Sequence, residues 1–198
     1  MRKILTFAAS LALGVVVAMT SAQASKYYDV STKTWKEAGP YAGRSPIKRK
    51  TVSYDGRYAN SPAGTIIVNT EERRLYYILG DGKAMKYGIG VGRPGFQWTG
   101  THRVSRKAEW PGWTPPPQMR KRVPGLPAYM EGGPNNPLGA RAMYIGSTIY
   151  RIHGSNEPWS IGQAVSSGCI RLANEDVIDL YERVKVGARV HVIQAKQQ

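Results

Sequence analysis

Ser166-Ser167-Gly168-Cys169-Ile170-Arg171-Leu172 is the stretch that decides how this chain folds, with Ile152-His153-Gly154 sixteen residues upstream of the cysteine. Cys169 is the only cysteine among 198 residues, so it has no intramolecular disulfide partner. Gly168 leaves the backbone beside the sulfur unobstructed, which lets a substrate carbonyl approach main-chain N–H groups. A lone thiol with a histidine elsewhere in the chain is a candidate nucleophile and base. The competing reading is a small buried hydrophobe. The polar, glycine-containing setting of the thiol weighs against that, and so does the destination signalled by the N-terminus.

Working outward, Asn174 is placed to cap a helix after the cysteine, with Glu175 and Asp176 suiting its positive first turn. Val177, Ile178, Tyr181 and Val184 give that helix an apolar face, Gly187 ends it, and Arg189 to Ile193 reads as a closing strand. Upstream, Thr65–Val68, Leu75–Leu79, Met85–Val91, Gly100–Val104, Ala142–Ile145 and Ile149–His153 read as short strands separated by turn residues. The expected fold is therefore mainly β, a sandwich or barrel-like sheet with one main helix. Gly88, Gly90 and Gly92 alternate inside a strand-like run with no Gly-Lys-Ser/Thr and no helix after them, which argues against a nucleotide site.

Residues 93–140 form a long section rich in Pro, Gly and Trp. A long insertion of this kind within a compact domain is often a lid or binding loop. Trp98, Trp110, Trp113 and Tyr129 are candidates for lining a groove, or equally for pinning the loop to the core. The three histidines, His102, His153 and His191, are scattered, and the spacing of possible ligands indicates no metal site.

The chain opens Met1-Arg2-Lys3, runs apolar to Met19 and reaches Ala22-Gln23-Ala24, the pattern of a cleavable export signal over residues 1–24. The apolar run is short for a membrane span, so no stable membrane anchor is expected after cleavage. An unpaired thiol in an oxidising compartment risks oxidation, which favours a chemical role for it. The formal charge is +15, and +13 without Arg2 and Lys3. That surface favours polyanions. For an exported protein these are envelope carboxylates and phosphates rather than nucleic acid. Residues 25–63 read as a basic extension, either a linker or a strap over the domain, residues 64–193 as the main domain carrying Cys169 and His153, and 194–198 as a tail.

The ordered constellation Ile152-His153-Gly154-Ser155-Asn156-x-Pro158, Ser160-Ile161-Gly162 and Ser166-x-Gly168-Cys169-Ile170-Arg171-Leu172 resembles the L,D-transpeptidase (YkuD-type) catalytic domain. The likeness extends back through Tyr87–Gly92, Thr99-Gly100-Thr101 and Met143-Tyr144-Ile145. It implies Cys169 as nucleophile and His153 as proton acceptor and donor. Gly154 is where a carbonyl orients the histidine, and Ser167 and Gly168 fall in the oxyanion-hole segment. Arg171 matches an arginine beside the substrate, and Tyr144, Trp110 and Trp113 are further candidate contacts. Arg171 has a second reading, as an ion pair to Asp176.

The reaction implied is acylation of the cysteine by a peptidoglycan tetrapeptide stem, release of D-alanine, and transfer to an amine of another stem or of an envelope protein. It would take place in the periplasm or cell envelope, and neither a metal nor an organic cofactor is implied. Ser167 stands where many members carry histidine, which leaves the proton-transfer role with His153. The alternatives are an L,D-carboxypeptidase or hydrolase using the same site, and a non-catalytic wall-binding module.

Overall fold

The computed structural model describes residues 44–194 and the backbone of two paired strands, β1 (Lys26–Asp29) and β2 (Thr34–Glu37). The expected export signal and the C-terminal tail beyond residue 194 lie outside the described residues. The remaining elements are β3 (Lys50–Ser53), β4 (Ile66–Asn69), β5 (Arg74–Gly80), β6 (Lys83–Gly88), β7 (Val91–Gly92), β8 (Gly100–Glu109), α1 (Pro117–Arg122), β9 (Arg141–Ile145), β10 (Arg151–His153), β11 (Ala164–Ser166), β12 (Ile170–Arg171), α2 (Asn174–Arg183) and β13 (Arg189–Ile193).

Nine strands form one sheet in the order β12-β10-β9-β8-β13-β4-β5-β6-β3, and β11 pairs with β7 beside it. The pairing is antiparallel except for β10 with β12, β13 with β4 and β11 with β7. β8 is long enough to serve both halves of the sheet. Its first residues pair with β13 and its later ones with β9, with the register slipping between Val104 and Arg106. An extra residue of this kind bends a strand and tightens its twist, so the sheet turns there.

Alternation along β4 and β5 separates two cores. Ile66, Val68 and Leu75 face a large cluster with Met143, Ile152, Ile170, Val190 and Val192, while Ile67, Tyr76 and Ile78 face a smaller one with Tyr54 and Ala84. Helix α2 closes the large cluster with Val177, Leu180 and Val184. The mainly β expectation with one main helix therefore holds. Ile178, expected on the helix's apolar face, is instead exposed, and Leu180 takes the buried position. Asn174 does not cap the helix; the N-cap residue is Ala173, and Asn174 Oδ1 accepts the Ala140 N–H at 2.9 Å. At the other end the Lys107 ammonium donates to the Tyr181 and Val184 carbonyls at 2.6 and 2.7 Å, satisfying orphan acceptors of the last turn.

Part of the basic extension lies along the domain. Ile47 packs against Gly88 and Gly162, the Ser45 N–H donates to Glu175, and Arg49 donates to the buried Asp176 at 3.0 Å. β3 then pairs with β6 at the edge of the sheet. The section 93–140 is more ordered than its composition suggested, since it holds all of β8 and the short helix α1.

Candidate active site

Backbone pairing brings the two motifs together. In the β10–β12 register His153 lies opposite Arg171, and Cys169 precedes Arg171 by two residues. Diagonal neighbours of this kind in a sheet are roughly 7–8 Å apart between Cα atoms and share a face. The core side of the same pair is occupied by Ile152 and Ile170, so His153 and the cysteine turn to the other side. Both line a cavity of about 660 Å³, roofed by the segment around α1.

His153 is 4 % exposed, and its Nδ1 lies 2.5 Å from the Gly154 carbonyl oxygen. A carbonyl only accepts, so Nδ1 carries the proton and Nε2 is left with its lone pair. Burial lowers the imidazole pKa to about 3; the Arg171 and Arg151 guanidiniums push the same way, and backbone hydrogen bonds to Gly154 and Leu138 only partly oppose them. The ring is therefore a neutral acceptor across the physiological range. Cys169 is a free, partly exposed thiol.

The turn that presents the sulfur is tied at three points. Ser166 Oγ donates to the Cys169 carbonyl at 2.6 Å and accepts the Gly168 N–H at 3.1 Å. Trp98 Nε1 donates to the Gly168 carbonyl at 2.7 Å, and the Trp98 ring stacks on Tyr150 at 4.5 Å. Gly168 has φ +108°, and a Cβ there would collide with the Tyr150 ring, so no other residue fits without displacing that ring. The alternating glycines upstream have a related purpose. At Gly90 a Cβ would sit 2.7 Å from the Ser160 carbonyl oxygen, and the bare backbone instead exchanges hydrogen bonds with Arg171.

These bonds correct one expectation. The Gly168 N–H is already engaged by Ser166 and is not free to meet a substrate oxyanion. Among the described residues no acceptor engages the N–H of Ser167 or Cys169, and those two remain as donors. Arg171 lines the cavity, but its ion pair is with Glu157 at 2.6 Å rather than Asp176, which Arg49 holds. Trp113 is buried, packs with Val123, Leu126 and Leu138 under the roof, and also lines the cavity. Tyr144 and Trp110 are not in its lining. Tyr144 lies beneath Arg106, whose Cζ is 3.7 Å from the ring centroid, and Trp110 and Tyr129 are exposed.

Sequence reasoning missed Ser166, Glu157 and Tyr150 as parts of the site, and it named Trp98 as a groove or loop-pinning residue without its bond to the cysteine turn. Ser166 sat inside the quoted motif, but a serine hydroxyl's partners depend on a turn geometry that no spacing specifies. Among the described residues no group of three or more His, Cys, Asp or Glu side chains converges as a metal site would require.

Residues 63–192 match the family model YkuD, L,D-transpeptidase catalytic domain. The chain is 45 % identical over 137 residues to the probable L,D-transpeptidase ErfK/SrfK of Escherichia coli K12, covering 65 % of this chain and 43 % of that protein. It is 44 % identical, over the same length, to the probable L,D-transpeptidase YbiS of the same strain, of which it covers 44 %. It thus spans less than half the length of these curated relatives. Among solved structures, an L,D-transpeptidase from Mycobacterium tuberculosis H37Rv shares the fold with a TM-score of 0.52 at 21 % identity, over 67 % of this chain and 58 % of that one. A Brucella melitensis structure named as a probable carnitine operon oxidoreductase matches at 39 % identity and a TM-score of 0.50, over 79 % of this chain and 99 % of that one.

Proposed function

Since the chain belongs to the L,D-transpeptidase catalytic domain family, we propose that it acylates Cys169 with a peptidoglycan tetrapeptide stem in the periplasm and passes the acyl group to an amine. The observation that carries this reading is the shared cavity. A free thiol and a neutral imidazole whose Nδ1 proton is held by the Gly154 carbonyl line one chamber.

In the first half-reaction the Cys169 sulfur attacks the carbonyl of the stem's third residue. Its proton passes to His153 Nε2, and the C–N bond breaks as His153 returns that proton to the departing D-alanine. The developing oxyanion meets the N–H groups of Cys169 and Ser167, a form of stabilisation worth about 3 kcal/mol per donor in other enzymes. In the second half-reaction an amine, from a second stem or from an envelope protein, attacks the thioester. Gly154 holds the ring in the tautomer both halves need, and the Glu157–Arg171 pair fixes a charge beside it.

The test is product formation from purified disaccharide-tetrapeptide by Cys169→Ala and His153→Ala proteins whose melting shows that they are folded. We expect no product from the first and a loss of about 10²–10⁴-fold in the second. Cross-linking at the wild-type rate in either variant sinks the proposal. Free tripeptide without cross-linked product reassigns the wild-type enzyme to hydrolysis.

A further inference from the structure

The cavity has a second cationic wall that the steps above leave unused. Arg93 follows β7 directly, and its backbone N–H donates to the Ser166 carbonyl at 3.0 Å, which fixes it beside the turn carrying the sulfur. Arg122 ends α1 in the roof. The two side chains meet on one ring, with Arg93 Cζ 4.4 Å and Arg122 Cζ 5.3 Å from the Phe96 centroid. Both line the cavity that holds Cys169. Among the described residues neither has a carboxylate partner, and the one acid in the lining, Glu157, is taken by Arg171. Two guanidiniums gathered around one aromatic ring repel each other. An anion placed between them offsets that repulsion and gains charge-assisted hydrogen bonds from both walls.

We propose that Arg93 and Arg122, stacked on Phe96, bind the carboxylate carried by the amine side of the reaction. That amine is the departing amino acid in the first half and the acceptor in the second. This rests on the acyl-transfer reading above. Cys169 lies in the turn between β11 and β12, with Arg171 and His153 on the β12 side and Arg93 on the β11 side. An acyl chain lying along Arg171 therefore directs its leaving group toward Arg93. The leaving group and the acceptor pass through the same transition-state geometry in opposite directions, so one subsite serves both. In the second half the amine nitrogen forms a C–N bond to the thioester carbon, the C–S bond breaks, and the amine's proton moves through His153 to the sulfur, restoring the thiol. The acceptor class this selects is an amine bearing a carboxylate a few bonds away.

The experiment compares tetrapeptide with its C-terminal carboxamide as donors, and D-alanine with D-alaninamide in exchange onto the preformed acyl-enzyme. The wild type is expected to favour the acid over the amide by about tenfold or more in kcat/KM, the size of a charge-assisted contact. In Arg93→Ala/Arg122→Ala that ratio falls to about one, while Lys at both positions keeps part of it. Alkylation of Cys169 by iodoacetamide, a neutral probe, checks that the variant's site is still formed. A wild-type ratio near one, or a ratio the double variant retains, overturns the clamp. A wild-type enzyme that turns over neither donor and takes no adduct on Cys169 removes the acyl-transfer reading, and the clamp with it.

Discussion

At the scale of one residue, the proposed chemistry depends on His153. Its ring is buried, its Nδ1 proton is committed to the Gly154 carbonyl, and two guanidiniums stand near it. Burial and the two guanidiniums disfavour the imidazolium, so the resting base is the neutral imidazole. The pH profile should show it. The acid limb of kcat/KM is expected well below pH 6, since the folded base stays unprotonated down to about 3. The same shift has a sign for stability. The unfolded chain takes up a proton near 6.5 that the folded chain refuses until about 3. This contribution is therefore full above pH 6.5 and is lost as pH falls toward 3. Melting temperatures over that window should decline less steeply in His153→Asn than in the wild type. An acid limb with its midpoint at 6.5 contradicts the account.

At the scale of the element, the turn 166–169 is held by a side chain rather than by a ladder. Ser166 Oγ serves a donor and an acceptor of the same turn from a buried position. Ser166→Ala strands both, at a cost of about 1–3 kcal/mol in stability. It also frees the Gly168 N–H and loosens the sulfur's position, so urea unfolding and kcat should fall together. Unchanged values of both would show that the turn holds itself.

Much of this region was legible in the sequence. The order His153-Gly154 then Gly168-Cys169 is local, and strand pairing converts that order into proximity. What was not legible depends on long-range approach. Asn174 sits at a helix start, where its side chain usually caps, but the chain at Ala140 passes close enough to claim it. Arg171 had an acid near in sequence, Asp176, yet the acid near in space is Glu157. Helix α1 escaped notice because it buries none of its residues and so carries no apolar period.

At the scale of the molecule, the sheet's turn at the β8 bulge, the closing helix α2 and the roof around α1 combine to place one thiol in a chamber that is apolar above and cationic at the sides. The N-terminal strap reinforces the same end of the fold, since Arg49 neutralises Asp176 on the helix that follows the cysteine strand. The central claim is covalent: the stem's acyl group resides on the sulfur at 169. The most direct test is the intact mass of the protein mixed with disaccharide-tetrapeptide, followed by peptide mapping. The account predicts a mass gain equal to the donor less D-alanine, located on the peptide containing Cys169 and discharged when an amine is added. Product accumulating while that peptide stays unmodified at every time point, including rapid quench, would contradict it.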